Sequence, residues 1–155
     1  MLEESVEGFV MRFKTYAATV EVLARPEGSP LLECVVGETV LQVLERTNPY
    51  AAQPGMVQLI LNPTTDTLTQ TDKTQKSVAT AGLGRLRATG RVLVREPQAV
   101  IVDAGVPLVV TLFEVPEETA PGDWVSFESL APVHGFFVPP TKRGLQRRET
   151  DGESL

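Results

Sequence analysis

The chain has 155 residues, 42% of them hydrophobic and 22% charged, with a formal net charge of −6. That suits one ordinary globular core or two very small barrels. It excludes a membrane-spanning helix, since no run of about 18 apolar residues occurs, and the acidic balance disfavours a generic phosphate-backbone binder while leaving room for a local basic stripe.

In chain order, Met1-Leu2-Glu3-Glu4 is acidic and lacks the apolar stretch of a secretory signal. Apolar and β-branched runs then predict strands over 9–24, 30–36, 56–61, 84–95, 98–103, 106–115, 123–130 and 133–138. Breakers separate them at Pro54-Gly55, Asn62-Pro63 and Pro121-Gly122, and at residues 26–28. Residues 38–46 admit two readings. Val40, Leu41 and Leu44 suit one helix face behind Gly37 or Thr39, but the same stretch also reads as a strand, which we favour. Residues 62–80 are rich in threonine and poor in large apolar groups, so they read as an exposed loop or linker, or as an exposed hairpin arm. The tail, 139–155, has no apolar periodicity and reads as disordered, with Lys142, Arg143, Arg147 and Arg148 as a basic cluster for an acidic partner or simple solvation.

Shifting the chain by 70 lays Ala18–Arg25 over Ala88–Arg95 with five of eight residues identical. The shift is even, so it keeps side-chain parity and predicts Ala18, Val22 and Ala24 inward like Ala88, Val92 and Val94. A Pro-Gly pair precedes a strand in both halves, at Pro54-Gly55 and Pro121-Gly122. An internal duplication and a chance match of two amphipathic strands both fit this pattern.

The second half runs through Gly90–Val94, Ala99–Gly105, Pro107–Phe113, Asp123–Phe127 and Val133–Phe137. Its Asp103-Ala104-Gly105 turn, and Gly122-Asp123 before a late strand, resemble an oligonucleotide/oligosaccharide-binding (OB) barrel over about residues 86–138. It departs from that pattern in its short loops and in the lack of a recognisable helix between the third and fourth strands. The expected fold is therefore all-β: a short-stranded barrel or sandwich, arranged as two tandem OB-like halves packed together, with at most one short helix near 38–46. The halves are 1–61 and 83–138, joined by 62–82.

Four arginines carry the best lead to a partner. Arg85, Arg87, Arg91 and Arg95 alternate with Leu86, Ala88, Gly90, Val92 and Val94, which predicts a guanidinium row along one strand face. Such a row suits phosphates or carboxylates, or pairs with this chain's own Glu96, Asp103 and Glu114. Trp124 has the opposite parity to Val125 and Phe127, so its indole is expected on the outside beside that row, or packed over a barrel end. The stretch Val106–Phe113 is apolar on both faces, which requires a cover: the first half or another subunit. His134, the only histidine, has no nucleophile motif around it, and Cys34, the only cysteine, excludes an internal disulfide and reads as a small buried hydrophobe. One histidine and one cysteine do not make a zinc site, and no phosphate loop is present, so neither metal nor cofactor is expected.

These features predict a cytoplasmic, non-enzymatic binding or assembly module that acts through protein contacts, with a protein partner or a second copy as its ligand and no membrane association. The alternative is a single-stranded nucleic-acid binder using Arg85, Arg87, Arg91, Arg95 and Trp124. A third reading is a hydrolase-type enzyme using His134 as general base.

Overall fold

The computed structural model describes residues 5–24, 29–47 and 54–139; the basic tail cluster and the breaker at 26–28 lie outside them. The fold is all-β with one short helix, α1 (Val6–Phe13), followed by a 3₁₀ turn at Lys14–Tyr16. The helix replaces the first part of the strand expected over 9–24, and 38–46, where a strand was favoured over a short helix, holds strand at Thr39–Glu45. The helical signal was present in the chain: Val6, Phe9, Val10 and Phe13 recur at helical spacing behind Ser5, whose side chain accepts a hydrogen bond from Gly8 N at 3.0 Å.

The strands are β1 (Ala18–Val22), β2 (Leu31–Val36), β3 (Thr39–Glu45), β4 (Gly55–Asn62), β5 (Thr69–Gln70), β6 (Ser77–Gly82), β7 (Arg85–Glu96), β8 (Ala99–Asp103), β9 (Pro107–Thr111), β10 (Trp124–Glu128) and β11 (Val133–Phe137). Five of them close a barrel in the order β1-β2-β3-β11-β4, with β4 returning to β1. All its pairs are antiparallel except β3–β11. The closing strand thus comes from the far end of the chain, and the closed barrel is not the 86–138 segment that carried the barrel-like pattern.

The second sheet runs β5-β10-β7-β8-β9, with β6 paired to the start of β7. The threonine-rich segment therefore supplies strands: β5 and β6 lie here, and residues 63–65 bond to the end of β9 and to the segment just after β10. Thr111 N donates to Pro63 O, Thr65 N to Thr111 O, and Leu130 N to Thr64 O.

Packing follows from alternation. In β1 the residues Ala18, Val20 and Val22 are buried and Thr19 and Glu21 exposed. Ala24, expected inward, is exposed. In β4, β8 and β9 both faces are buried. One face joins the main core, through Leu59, Leu61, Val100, Val102, Leu108 and Val110. The other face forms a second layer in which Ile60 and Phe136 of the barrel meet Ile101 and Val109 of the sheet, with Phe13 of α1 beside them. The first half is therefore the cover that the doubly apolar stretch required. Each such side chain, fully buried, contributes about 1.5–3 kcal/mol, so this layer holds barrel and sheet together. Phe113, expected within that strand, lies beyond its end and is 90% exposed.

Candidate functional site

The outward face of the second sheet is built by β7 and β10. Trp124 pairs with Arg91, Ser126 with Thr89, and Glu128 with Arg87. Cross-strand partners share a face, so Arg87, Thr89 and Arg91 stand beside Trp124, Ser126 and Glu128. Val125 and Phe127 are buried and Trp124 is half-buried on the opposite side, as its parity required.

The arginine row does not run the length of the strand. Between Val92 and Val94 the β7–β8 register shifts, which leaves Leu93 as an extra residue. A one-residue bulge reverses every side chain after it. Val94 accordingly packs in the second layer with Ile101, rather than with Val92. Arg95 pairs with Val100 and turns away from the row. Its Nη2 donates to the carbonyls of Val115 at 3.2 Å and Pro116 at 3.1 Å, and its buried Nε has no partner among the described residues.

The remaining three are mostly engaged. Arg85 and Arg87 share one carboxylate, Glu128, at 2.8 and 3.2 Å, and Arg85 also donates to Ser129 O. Exposed pairs of this kind contribute about 0–1 kcal/mol. Arg91 donates from Nε to Gly122 O at 3.4 Å and has no carboxylate partner among the described residues. Its neighbour Asp103 is taken by Lys76 at 2.7 Å. That hydrogen bond, together with one from Gly105 N, holds the Asp103 carboxyl below its ordinary range.

His134 lies on β11, between Leu44 and Asn62 in register. Its Nδ1 is 3.2 Å from Arg46 Nη1. A guanidinium only donates, so Nδ1 is the acceptor and the neutral ring carries its proton on Nε2. Partial burial, and then the charge of Arg46, hold its pKa below the ordinary histidine value. Ser5 lines the same cleft, but its Oγ caps α1. No serine, cysteine or carboxylate is hydrogen-bonded to His134 among the described residues. Cys34 sits in the barrel core, where burial pushes its thiol up to about 11, so it is not a poised nucleophile. No group of His, Cys, Asp and Glu that could hold a metal occurs among the described residues.

The β6 edge is what sequence reasoning missed. Ser77–Gly82 pairs with β7 on one side only, and no strand pairs its other edge among the described residues. The edge carries no charged residue and no proline. The threonine-rich stretch read either as a loop or as an exposed hairpin arm; β6, antiparallel to β7, fits the second reading, but its unpaired outer edge follows only from the strand pairing. Leu83, at its end, is 73% exposed, and Gly84 packs near Ala131 and Pro132, both exposed.

No match to this chain was found among protein-family models, curated proteins or solved structures.

Proposed function

We propose that this protein is a non-enzymatic binding or assembly module acting through protein contacts, built from two OB-like units that exchange their fifth strands. Similar pairings, with partners two residues from those the shift of 70 would give, support the duplicated architecture. Val22 pairs with Cys34, and Val92 with Val102. Ala18 pairs with Leu59, and Ala88 with Phe127. His134 sits between Leu44, in parallel pairing, and Asn62; Thr64 sits between Thr111, also in parallel pairing, and Leu130. In this reading the segment after β4 completes the second unit, and the segment after β10 completes the first. The parity-preserving match of Ala18–Arg25 to Ala88–Arg95 is then the trace of the duplication. The ligand is a partner protein or a second copy, the location cytoplasmic, and no cofactor takes part.

The observation that carries the contact reading is the β6 edge. Sheet edges present unpaired backbone groups and are normally blunted by charge, proline, a bulge or cover; β6 has a bulge between Thr80 and Gly82 and β3 lies near it, but its stretch 77–80, unpaired on the outer side among the described residues, carries no charge and no proline and is fit to accept an added strand. Exposed Leu83 and Pro132 lie beside it as apolar contacts for that strand. The test compares the wild type with Ser77→Lys/Ala79→Lys by light-scattering mass and by selection from a displayed peptide library. The expected result is an oligomer above 16.8 kDa, or an extended peptide ligand, in either case lost in the variant. A monomer that selects no peptide, or binding that the two lysines leave untouched, would sink the edge assignment.

A second reading, single-stranded nucleic-acid binding, rests on Arg91, which has no carboxylate partner among the described residues and stands beside Trp124. Anisotropy of labelled single strands should then weaken steeply with salt and vanish in Arg91→Glu.

A further inference from the structure

A separate cleft of about 250 Å³ opens between the start of α1 and the barrel, lined by Ser5, Phe9, Arg46, Asn62, His134 and Phe136. That is room for roughly eight water volumes, too small for a macromolecular contact but ample for one polar group. Its walls differ in kind. Phe9 and Phe136 stack at 4.4 Å between ring centroids and form an apolar side. Facing them are a guanidinium and an imidazole already in contact with each other.

Among the described residues the charges of this cleft do not balance. Among the described residues Arg46 makes no ion pair, and its side chain hydrogen-bonds the neutral ring of His134. The adjacent carboxylate, Glu45, is only 1% exposed and accepts from Thr47 N at 2.7 Å, so it is turned into the barrel end. Glu7 lines the groove on the other side of α1. The Asn62 amino group is spent on Val109 O at 2.7 Å and Thr111 Oγ1 at 2.9 Å. What faces the cleft is therefore a fixed cation and a ring whose remaining hydrogen, on Nε2, is a donor. Guanidinium and imidazole donors together suit a carboxylate or a phosphate-like group, whose oxygens only accept.

We propose that the Arg46–His134 cleft is a binding site for a small oxyanion, the carboxylate or phosphate-like group of a ligand. Arg46 supplies the charge. His134 supplies a second donor and gains a proton as the anion arrives, because the anion offsets the repulsion from Arg46 that disfavours imidazolium. The site is independent of the β6 edge, so either can fail without the other.

His134 is the only histidine, so the tag-free protein has a single imidazole resonance to follow by NMR. It is titrated from pH 5 to 8 in sodium chloride, and again with sulfate or acetate at matched ionic strength. Sulfate stands for the tetrahedral oxyanion and acetate for the planar one. Glu3 and Glu4 lie outside the described residues, so Glu3→Gln/Glu4→Gln is titrated in parallel as a control on the acidic residues that precede Ser5 in the sequence. The expected result is a rise in the His134 pKa of about half a unit or more with one of the two anions, retained in Arg46→Lys and lost in Arg46→Gln. The anion that produces the rise identifies the ligand class. An unchanged pKa with both anions in both chains, or an equal rise in Arg46→Gln, overturns the proposal.

Discussion

Replacing Asn62 by alanine tests the joint between barrel and sheet. Asn62 ends β4, is 6% exposed, and reaches across to β9, where its amino group donates to Val109 O and Thr111 Oγ1. Two hydrogen bonds at about 0.5–1.5 kcal/mol each disappear, and buried acceptors are left without that donor at further cost. Together these predict a loss of about 2–4 kcal/mol. For a chain of this length that lowers Tm by about 5–15 °C. Thr111→Val removes one bond and should cost about 1 kcal/mol. Because the two residues share that bond, their losses should fall short of additivity by about 0.5–1.5 kcal/mol. Urea unfolding followed both by Trp124 fluorescence, which reports the second sheet, and by far-UV circular dichroism, which reports both, measures this. If Asn62→Ala stays within about 0.5 kcal/mol of wild type, or the two probes unfold at separate midpoints, the reasoning that Asn62 clamps one cooperative structure is wrong.

Gly135 lies where a Cβ would meet Val43 Cγ1 at 2.5 Å and Leu59 methyls at 3.3 Å; Gly135→Ala should therefore overpack the barrel and cost about 1–3 kcal/mol, read as a fall in the urea midpoint. The bulge at Leu93 predicts that Arg95→Ala destabilises by about 1–2 kcal/mol through its lost carbonyl contacts, whereas exposed Arg87→Ala stays within about 0.5 kcal/mol; equal effects would mean that the two arginines share a face after all. The depressed His134 pKa sets a pH dependence. Below 6.5 the unfolded chain binds the proton more readily than the folded one, so His134 lowers stability as pH falls from 6.5 to its folded pKa and contributes no slope above 6.5. Stability curves at pH 5 and 7 should differ less in His134→Gln than in wild type.

The strands were legible because their cause is local. A period of two along Ala18–Val22 and Arg85–Val92 is written in the residues themselves, and Val125 and Phe127 announced the outward side of Trp124. The doubly apolar Val109 likewise required a cover, and Ile60, Phe13 and Phe136 supply it. The helix could have been read from Val6, Phe9, Val10 and Phe13, but a short apolar run serves strand and helix alike until packing selects one.

The rest depended on contacts between distant residues. Nothing in Val133–Phe137 says that it pairs with β3 and β4 rather than with the strands just before it. An edge of backbone donors and acceptors accepts any strand, and the choice is made by which one also fills the barrel. The bulge at Leu93 is equally invisible in alternation, since it arises from the register against β8, and it alone removes Arg95 from the face that carries Arg87 and Arg91. The cleft joins residues 5, 46, 62 and 134, which share no motif. Side-chain chemistry and periodicity, set by neighbours in the chain, determined that this protein would be a β structure with a cationic face; the pairing partners, the exposed β6 edge and the Arg46–His134 cleft were decided by tertiary structure, because only there do distant strands compete for the same edges and the same core.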